Sequence, residues 1–219
     1  MADTKAHTRY RLKPAKSFKK GEIVPGVTTI IDGQLAWNKN ALIAWARREA
    51  LAGQDPEKIK NEAGKIGSCA DCLIGCMVTK KTPDLKDFTS NQITEAQKSA
   101  QSFAVWWDES GLIFNEYQKQ VISEQFRYGG TLDLILSGNG NLFLYDMKRS
   151  KGIWPSMKIQ IAAYKNAYEE QEGKRIDECY ILHLQEEVVT PIRVTPSEIK
   201  AGWEVFKHLR SLYDLKKVF

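Results

Sequence analysis

The spacing of apolar residues changes character several times along the chain. Residues 8 to 24 predict a short hairpin, with Tyr10, Leu12, Ile23 and Val24 at strand-like positions around the turn-forming stretch KSFKKGE, and Pro25-Gly26 closes it. Next comes VTTIID, followed by LAWNKNALIAWARREALA, where Leu42, Trp45, Ala46 and Ala50 recur at helical spacing; this predicts two helices or one broken helix. Residues 57 to 79 are helical with an interruption at Gly67, Ser68 serving as N-cap of the second piece, and a further helix covers residues 93 to 109, ending before Ser110-Gly111. Three β-rich runs then appear: VISEQFRY (121 to 128), TLDLIL (131 to 136) and LFLYDMK (142 to 148), with SGNGN between the last two as a hairpin turn. Helical periodicity returns over 156 to 170, CYILHL and VTPIRV read as strands, and Pro196-Ser197 opens an amphipathic helix through Ile199, Trp203, Phe206, Leu209 and Tyr213. The order is helices, three antiparallel strands, a helix, a strand pair and a closing helix. It predicts an α+β or α/β sheet with helices on both faces and a helical N-terminal portion.

Length and composition fit one domain. The chain has 219 residues, 42% of them hydrophobic and 27% charged, enough to bury a core, and no internal repeat or linker divides it. No apolar run approaches the roughly 18 residues that cross a bilayer, and the first twenty residues lack the apolar segment of a secretion signal. The expectation is an intracellular protein with no membrane partner. Four cysteines, Cys69, Cys72, Cys76 and Cys179, are too few for a disulfide scaffold. The net charge of +5 is unevenly placed: Lys5, Arg9, Arg11, Lys13, Lys16, Lys19 and Lys20 face only Asp3 in the first twenty residues, while the rest is near neutral. A basic arm of this kind suits a polyanion or is a solvated tail.

The candidate chemistry lies in the strands. Alternation puts Thr131, Asp133 and Ile135 on one face of TLDLIL, and a carboxylate inside such a strand needs a partner for its charge. LFLYDMK adds Asp146 and, two residues on and therefore on the same face, Lys148; the hairpin turn can bring all three to one end of the sheet. Two close carboxylates repel unless one is protonated or a cation lies between them, and Mg²⁺ with oxygen ligands fits the second case. Metal, carboxylates and ammonium together describe phosphodiester hydrolysis.

These residues resemble a known family. GGTLD, then DMK thirteen residues after Asp133, then the helix carrying Gln160 and Tyr164 in a Q-x-x-x-Y element, resemble the PD-(D/E)XK nuclease superfamily and its RecB-type exonuclease branch. VPGVTTIID with the following L-x-x-W-A is similar to the amino-terminal signature of phage exonucleases and the mitochondrial genome-maintenance exonuclease, and VISEQFRYGGTLD is similar to their glutamate-bearing strand. The resemblance spans about residues 22 to 170. It implies a restriction-endonuclease-like α/β core in one nuclease domain, with residues 1–24 as a basic hairpin arm, 25–110 as the helical portion and 111–219 as the catalytic sheet with its flanking helices. It further implies Asp133 and Asp146 as ligands of Mg²⁺ or Mn²⁺, with the backbone carbonyl of Met147 as a third oxygen. Lys148 becomes the catalytic lysine, Gln160 and Tyr164 contact the DNA backbone or that lysine, and Glu124 takes the strand-glutamate position.

There is one departure. Related enzymes carry a histidine ligand four residues after a helical glycine, and here Gly67 is followed at that offset by Asp71. Asp71 is then either a harder ligand in the histidine's place or a residue stabilising a helix N-terminus. Arg149, Lys151, Trp154 and Lys158 follow the lysine and suit a single-strand channel, or else they pack and solvate in the ordinary way. Of the adjacent Trp106 and Trp107, only one is expected to face the core. The cysteines at 69, 72 and 76 lie on one helical face and are expected to pack that helix against the sheet rather than hold a metal cluster. The function implied is a metal-dependent DNA exonuclease on single-stranded or end-bearing DNA, from a phage or a replication and recombination context. The alternatives are a structure-specific or nicking endonuclease and a catalytically silent DNA-binding module.

Overall fold

Two left-handed residues organise the centre of the molecule. Asn139 (φ 51°) and Gly140 (φ 79°) form the tight turn that the SGNGN stretch predicts, folding strand β4 (Tyr128–Gly138) back on β5 (Asn141–Lys148). β3 (Ile113–Ser123) pairs antiparallel with the other edge of β4, and β6 (Glu178–Leu184) and β7 (Val189–Val194) complete a five-stranded sheet in the order β3-β4-β5-β6-β7. Within this sheet, among the described residues, only the β5–β6 pair is parallel. A parallel step needs a long crossover, which α5 (Pro155–Glu172) supplies. The structure, a computed structural model, describes residues 9–14, 21–185 and 188–219. Lys5, Lys16, Lys19 and Lys20 of the basic arm, and most of its turn, lie outside the described residues.

Helices cover both faces. α1 (Val27–Gln34), α5 and α6 (Pro196–Leu215) bury Ile30, Ile161, Tyr168 and Phe206 against Leu144 and Ile181 on one side. α3 (Pro56–Thr79) and α4 (Ser90–Ser110) bury Ile74, Val78 and Phe103 against Leu134, Leu136 and Tyr145 on the other. This is a five-stranded mixed sheet flanked by helices, as the order of elements predicts. Local chemistry sets the helix ends: Asp55 accepts from the amides of Glu57 and Lys58 ahead of α3, and reciprocal caps join Thr89 with Gln92 and Thr195 with Glu198. The N-terminal strands β1 (Tyr10–Arg11) and β2 (Ile23–Val24) pair antiparallel, and the segment is tied to the main sheet where the Gly129 amide donates to the Pro25 carbonyl at 3.0 Å.

Several expectations change. α3 is continuous through Gly67, and the Ser68 hydroxyl donates back to the Gly64 carbonyl at 3.1 Å instead of capping a new helix. VISEQFRY is not one strand. β3 ends at Ser123, whose hydroxyl accepts from the Phe126 amide, and Arg127 turns through a positive φ of 54° before β4 begins. α2 (Lys39–Leu51) forms where periodicity places it but buries no residue, leaving Leu42 and Ile43 each 55% exposed. Trp106 and Trp107 both pack on the core, the first edge-on to Tyr145 and the second stacked with Phe103. Among the described residues, no helix is long and apolar enough to cross a membrane.

Candidate active site

The β4–β5 ladder runs from Gly138–Asn141 to Leu134–Tyr145 and stops. The next residues on the two strands are Asp133 and Asp146, 3% and 1% exposed. The Asp133 carboxylate accepts a hydrogen bond from the Met147 amide at 2.9 Å, and Lys148 Nζ lies 2.6 Å from Asp146 Oδ2. Burying two carboxylates costs several kcal/mol each unless charge and hydrogen bonds compensate, so the amide and the ammonium explain how both persist here. With all three side chains ionised the trio carries a surplus negative charge, which favours a cation beside it.

Asp133, Asp146, Met147 and Lys148 line a cleft of about 340 Å³, and so do Asp71 on α3 and Gln160 and Tyr164 on α5. Gln160 Nε2 donates to the Tyr164 hydroxyl at 2.8 Å, one helical turn along. Gly130 makes room for that ring: a Cβ there would lie 2.4 Å from Tyr164 Cε1. The cleft also includes Tyr10, Thr28 and Thr131, none of which sequence reasoning had assigned to it. Tyr10 bonds Thr131 across 121 residues of chain, a separation with no local signal; Thr131 does lie two residues before Asp133 in TLDLIL and lines the same cleft.

The other expected residues lie elsewhere. Glu124 sits in the β3–β4 turn, where its carboxylate accepts from the Lys13 amide at 2.7 Å, outside the cleft lining. Arg149 turns to α4, donating to Ser99 Oγ at 3.1 Å and lying 3.5 Å from Glu95. Lys158 is ion-paired with Glu198 and so ties α5 to α6. That ammonium, with the Thr195 amide, holds the Glu198 carboxyl down at about 2. Lys151 and Trp154 are exposed on the approach to α5.

No family model matches the chain, and no curated protein matches it. Similar solved structures include one described as a "putative exonuclease" from Eubacterium rectale, 15% identical over 67% of this chain and 64% of its own, with a TM-score of 0.48. This chain therefore spans less than two thirds of that protein's length. A second, SSO0001, is 11% identical over 68% of this chain and 83% of its own, with a TM-score of 0.31.

The donor set suits a hard ion in chemistry, because carboxylate and carbonyl oxygens are what Mg²⁺ takes. Among the described residues no three His, Cys, Asp or Glu side chains are grouped as a ready cage. Two carboxylates plus a backbone carbonyl and solvent is the fit that remains, with Asp71 on the cleft wall. Asp71 lies deep within α3, and its carbonyl accepts from Tyr117 OH at 2.5 Å. A position so far from the helix N-terminus removes the helix-dipole explanation. Asp71→Ala is expected to shift the Mg²⁺ concentration needed for half-maximal activity upward by roughly 10-fold, with partial recovery in Asp71→His. An unchanged Mg²⁺ titration would take Asp71 out of the site.

The four cysteines do not gather in one cluster, although Cys72 hydrogen-bonds Cys76 along α3. Cys69 is buried between α3 and α4, and Cys179 lies in the core on the opposite face of the sheet. The expected packing of this helix against the sheet is thus a helix–helix contact for Cys69. Burial pushes the Cys69 and Cys72 thiols up and takes Cys179 up to about 12, so without a metal they stay protonated. Anaerobically purified protein is expected to hold no stoichiometric iron or zinc by elemental analysis; one equivalent of either would overturn this.

Proposed function

We propose that the chain is a divalent-metal-dependent DNA exonuclease of RecB-type PD-(D/E)XK design, acting on single-stranded or end-bearing DNA. The observation that supports this best is the meeting of Asp133, Asp146 and Lys148 in one cleft, at the point where the β4–β5 ladder ends. In this reading Asp133, Asp146 and the Met147 carbonyl hold Mg²⁺ or Mn²⁺. When bound, the ion polarises a phosphoryl oxygen and acidifies water. Lys148 stabilises the negative charge that develops on the phosphoryl group, and the Asp146 carboxylate orients its ammonium. Gln160 and Tyr164 hold the DNA backbone from α5, and the products carry a 5′-phosphate and a 3′-hydroxyl.

A free end is part of the proposal. Thr28, at the start of α1, lines the cleft, and the segment that follows exposes Trp37 by 61% together with Leu42 and Ile43. Exposed aromatic surface on a segment that also carries Arg47 and Arg48 suits a single strand read without sequence preference. The test is end-labelled linear single-stranded DNA beside its closed circular form, with and without Mg²⁺. Shortening of the linear strand with an intact circle is expected. Rapid loss of the circle would make the protein an endonuclease, and no hydrolysis of either form in Mg²⁺ or Mn²⁺ would leave a DNA-binding module.

A further inference from the structure

We infer that Tyr10 and Thr131 form a phosphate-positioning pair, donating a hydrogen bond to a phosphate oxygen of the bound strand beside the scissile linkage; this rests on the nuclease reading above. Tyr10 belongs to the N-terminal hairpin, yet it is only 8% exposed. Its ring lies against two bare backbones: a Cβ on Gly129 would come within 2.4 Å of it, and one on Gly26 within 3.1 Å. The Gly129 amide, bonded to the Pro25 carbonyl, pins the same segment to β4. The hairpin is therefore seated on the strand that carries Asp133, and its tyrosine reaches the cleft.

Counting protons gives the chemistry. Tyr10 OH and Thr131 Oγ1 are 3.0 Å apart and buried, and either can be the donor. Two hydroxyls bring two protons, and their mutual bond uses one. The other needs an acceptor, and no further hydrogen bond to either hydroxyl is made among the described residues. Both groups line the cleft, with Thr131 two residues before Asp133 on the same strand. A phosphate oxygen entering toward Asp133 and Asp146 supplies that acceptor. Neutral hydroxyls suit the task, because they fix a phosphate without repelling a cation and carry no base preference.

The experiment uses the full chain without divalent metal and measures binding of a labelled single-stranded oligonucleotide. A set of oligonucleotides, each with one methylphosphonate linkage, scans the removal of a charged oxygen along the strand. The wild type is expected to lose roughly 10-fold in affinity at one linkage. Tyr10→Phe and Thr131→Val should each lose a similar factor on unmodified DNA and nothing further at that linkage, whereas Thr131→Ser should bind as the wild type does. A packing role would not produce this coupling. Variants that bind and map like the wild type, or losses that multiply at every linkage, would overturn the pair, as would a wild type that binds no DNA. A wild type that shows the coupling but cleaves nothing in Mg²⁺ or Mn²⁺ would overturn the nuclease reading and leave the pair standing.

Discussion

Asp133→Asn and Asp146→Asn are each expected to lower DNA hydrolysis in Mg²⁺ by roughly 1,000-fold or more while the protein stays folded, and Lys148→Ala to do the same at a greater cost in stability. The difference follows from burial. Asparagine at 133 keeps an oxygen to accept from the Met147 amide, so Asp133→Asn removes the charge while preserving that bond. Asp133→Ala would strand that buried amide, at about 1–3 kcal/mol. Asp146→Asn leaves Lys148, whose side chain is 20% exposed and can reach water. Lys148→Ala leaves Asp146, whose side chain is 1% exposed, without its ammonium, and a buried carboxylate tolerates that poorly. The order of melting temperatures should be Asp146→Asn above Lys148→Ala. Near-normal turnover by Asp146→Asn in Mg²⁺ would remove the carboxylate pair from the chemistry.

The placement of this trio was legible because a two-residue turn fixes register. Once Asn139-Gly140 reverses the chain, the pairing of β4 with β5 leaves no freedom in where Asp133 and Asp146 meet. Glu124 was misplaced for the opposite reason. Its turn contains no Gly, Pro or Asn and relies on Arg127 at positive φ and on the Ser123 hydroxyl, so VISEQFRY reads as uninterrupted strand. Gly67 misled in a similar way: a glycine inside a helix costs only about 1 kcal/mol, and packing of α3 on α4 outweighs it. The apolar spacing of α2 revealed a helix but not its cover, because periodicity marks a face without naming what meets it. Lys158 was one of several exposed-looking bases until α6 supplied Glu198, forty residues away.

The paired glycines of GGTLD are visible in the sequence, but their reason is a matter of packing, and it leads to a sharp expectation. Adding a methyl at Gly130 puts a carbon 2.4 Å from Tyr164 Cε1 and 2.9 Å from its Cδ1. That ring is 4% exposed, and its hydroxyl accepts from Gln160, so it cannot step aside without shifting α5. Adding one at Gly129 meets Tyr10 at Cβ and Cγ, atoms too near the backbone to rotate away. Overpacking of this kind costs about 1–3 kcal/mol. In a chain of this length that corresponds to a fall of roughly 2–12 °C in melting temperature. Gly130→Ala should also weaken hydrolysis, because Tyr164 and Gln160 move with the helix, and Gly130→Ala combined with Tyr164→Leu should recover stability but not activity. Gly33→Ala provides the control. A Cβ there meets nothing within 4 Å, and inside α1 alanine is favoured over glycine by about 1 kcal/mol, so this variant should melt no lower than the wild type. Equal melting temperatures for Gly33→Ala and Gly130→Ala would mean that the approach of Tyr164 to β4 is not close, and with it the placement of Gln160 and Tyr164 at the cleft would fall.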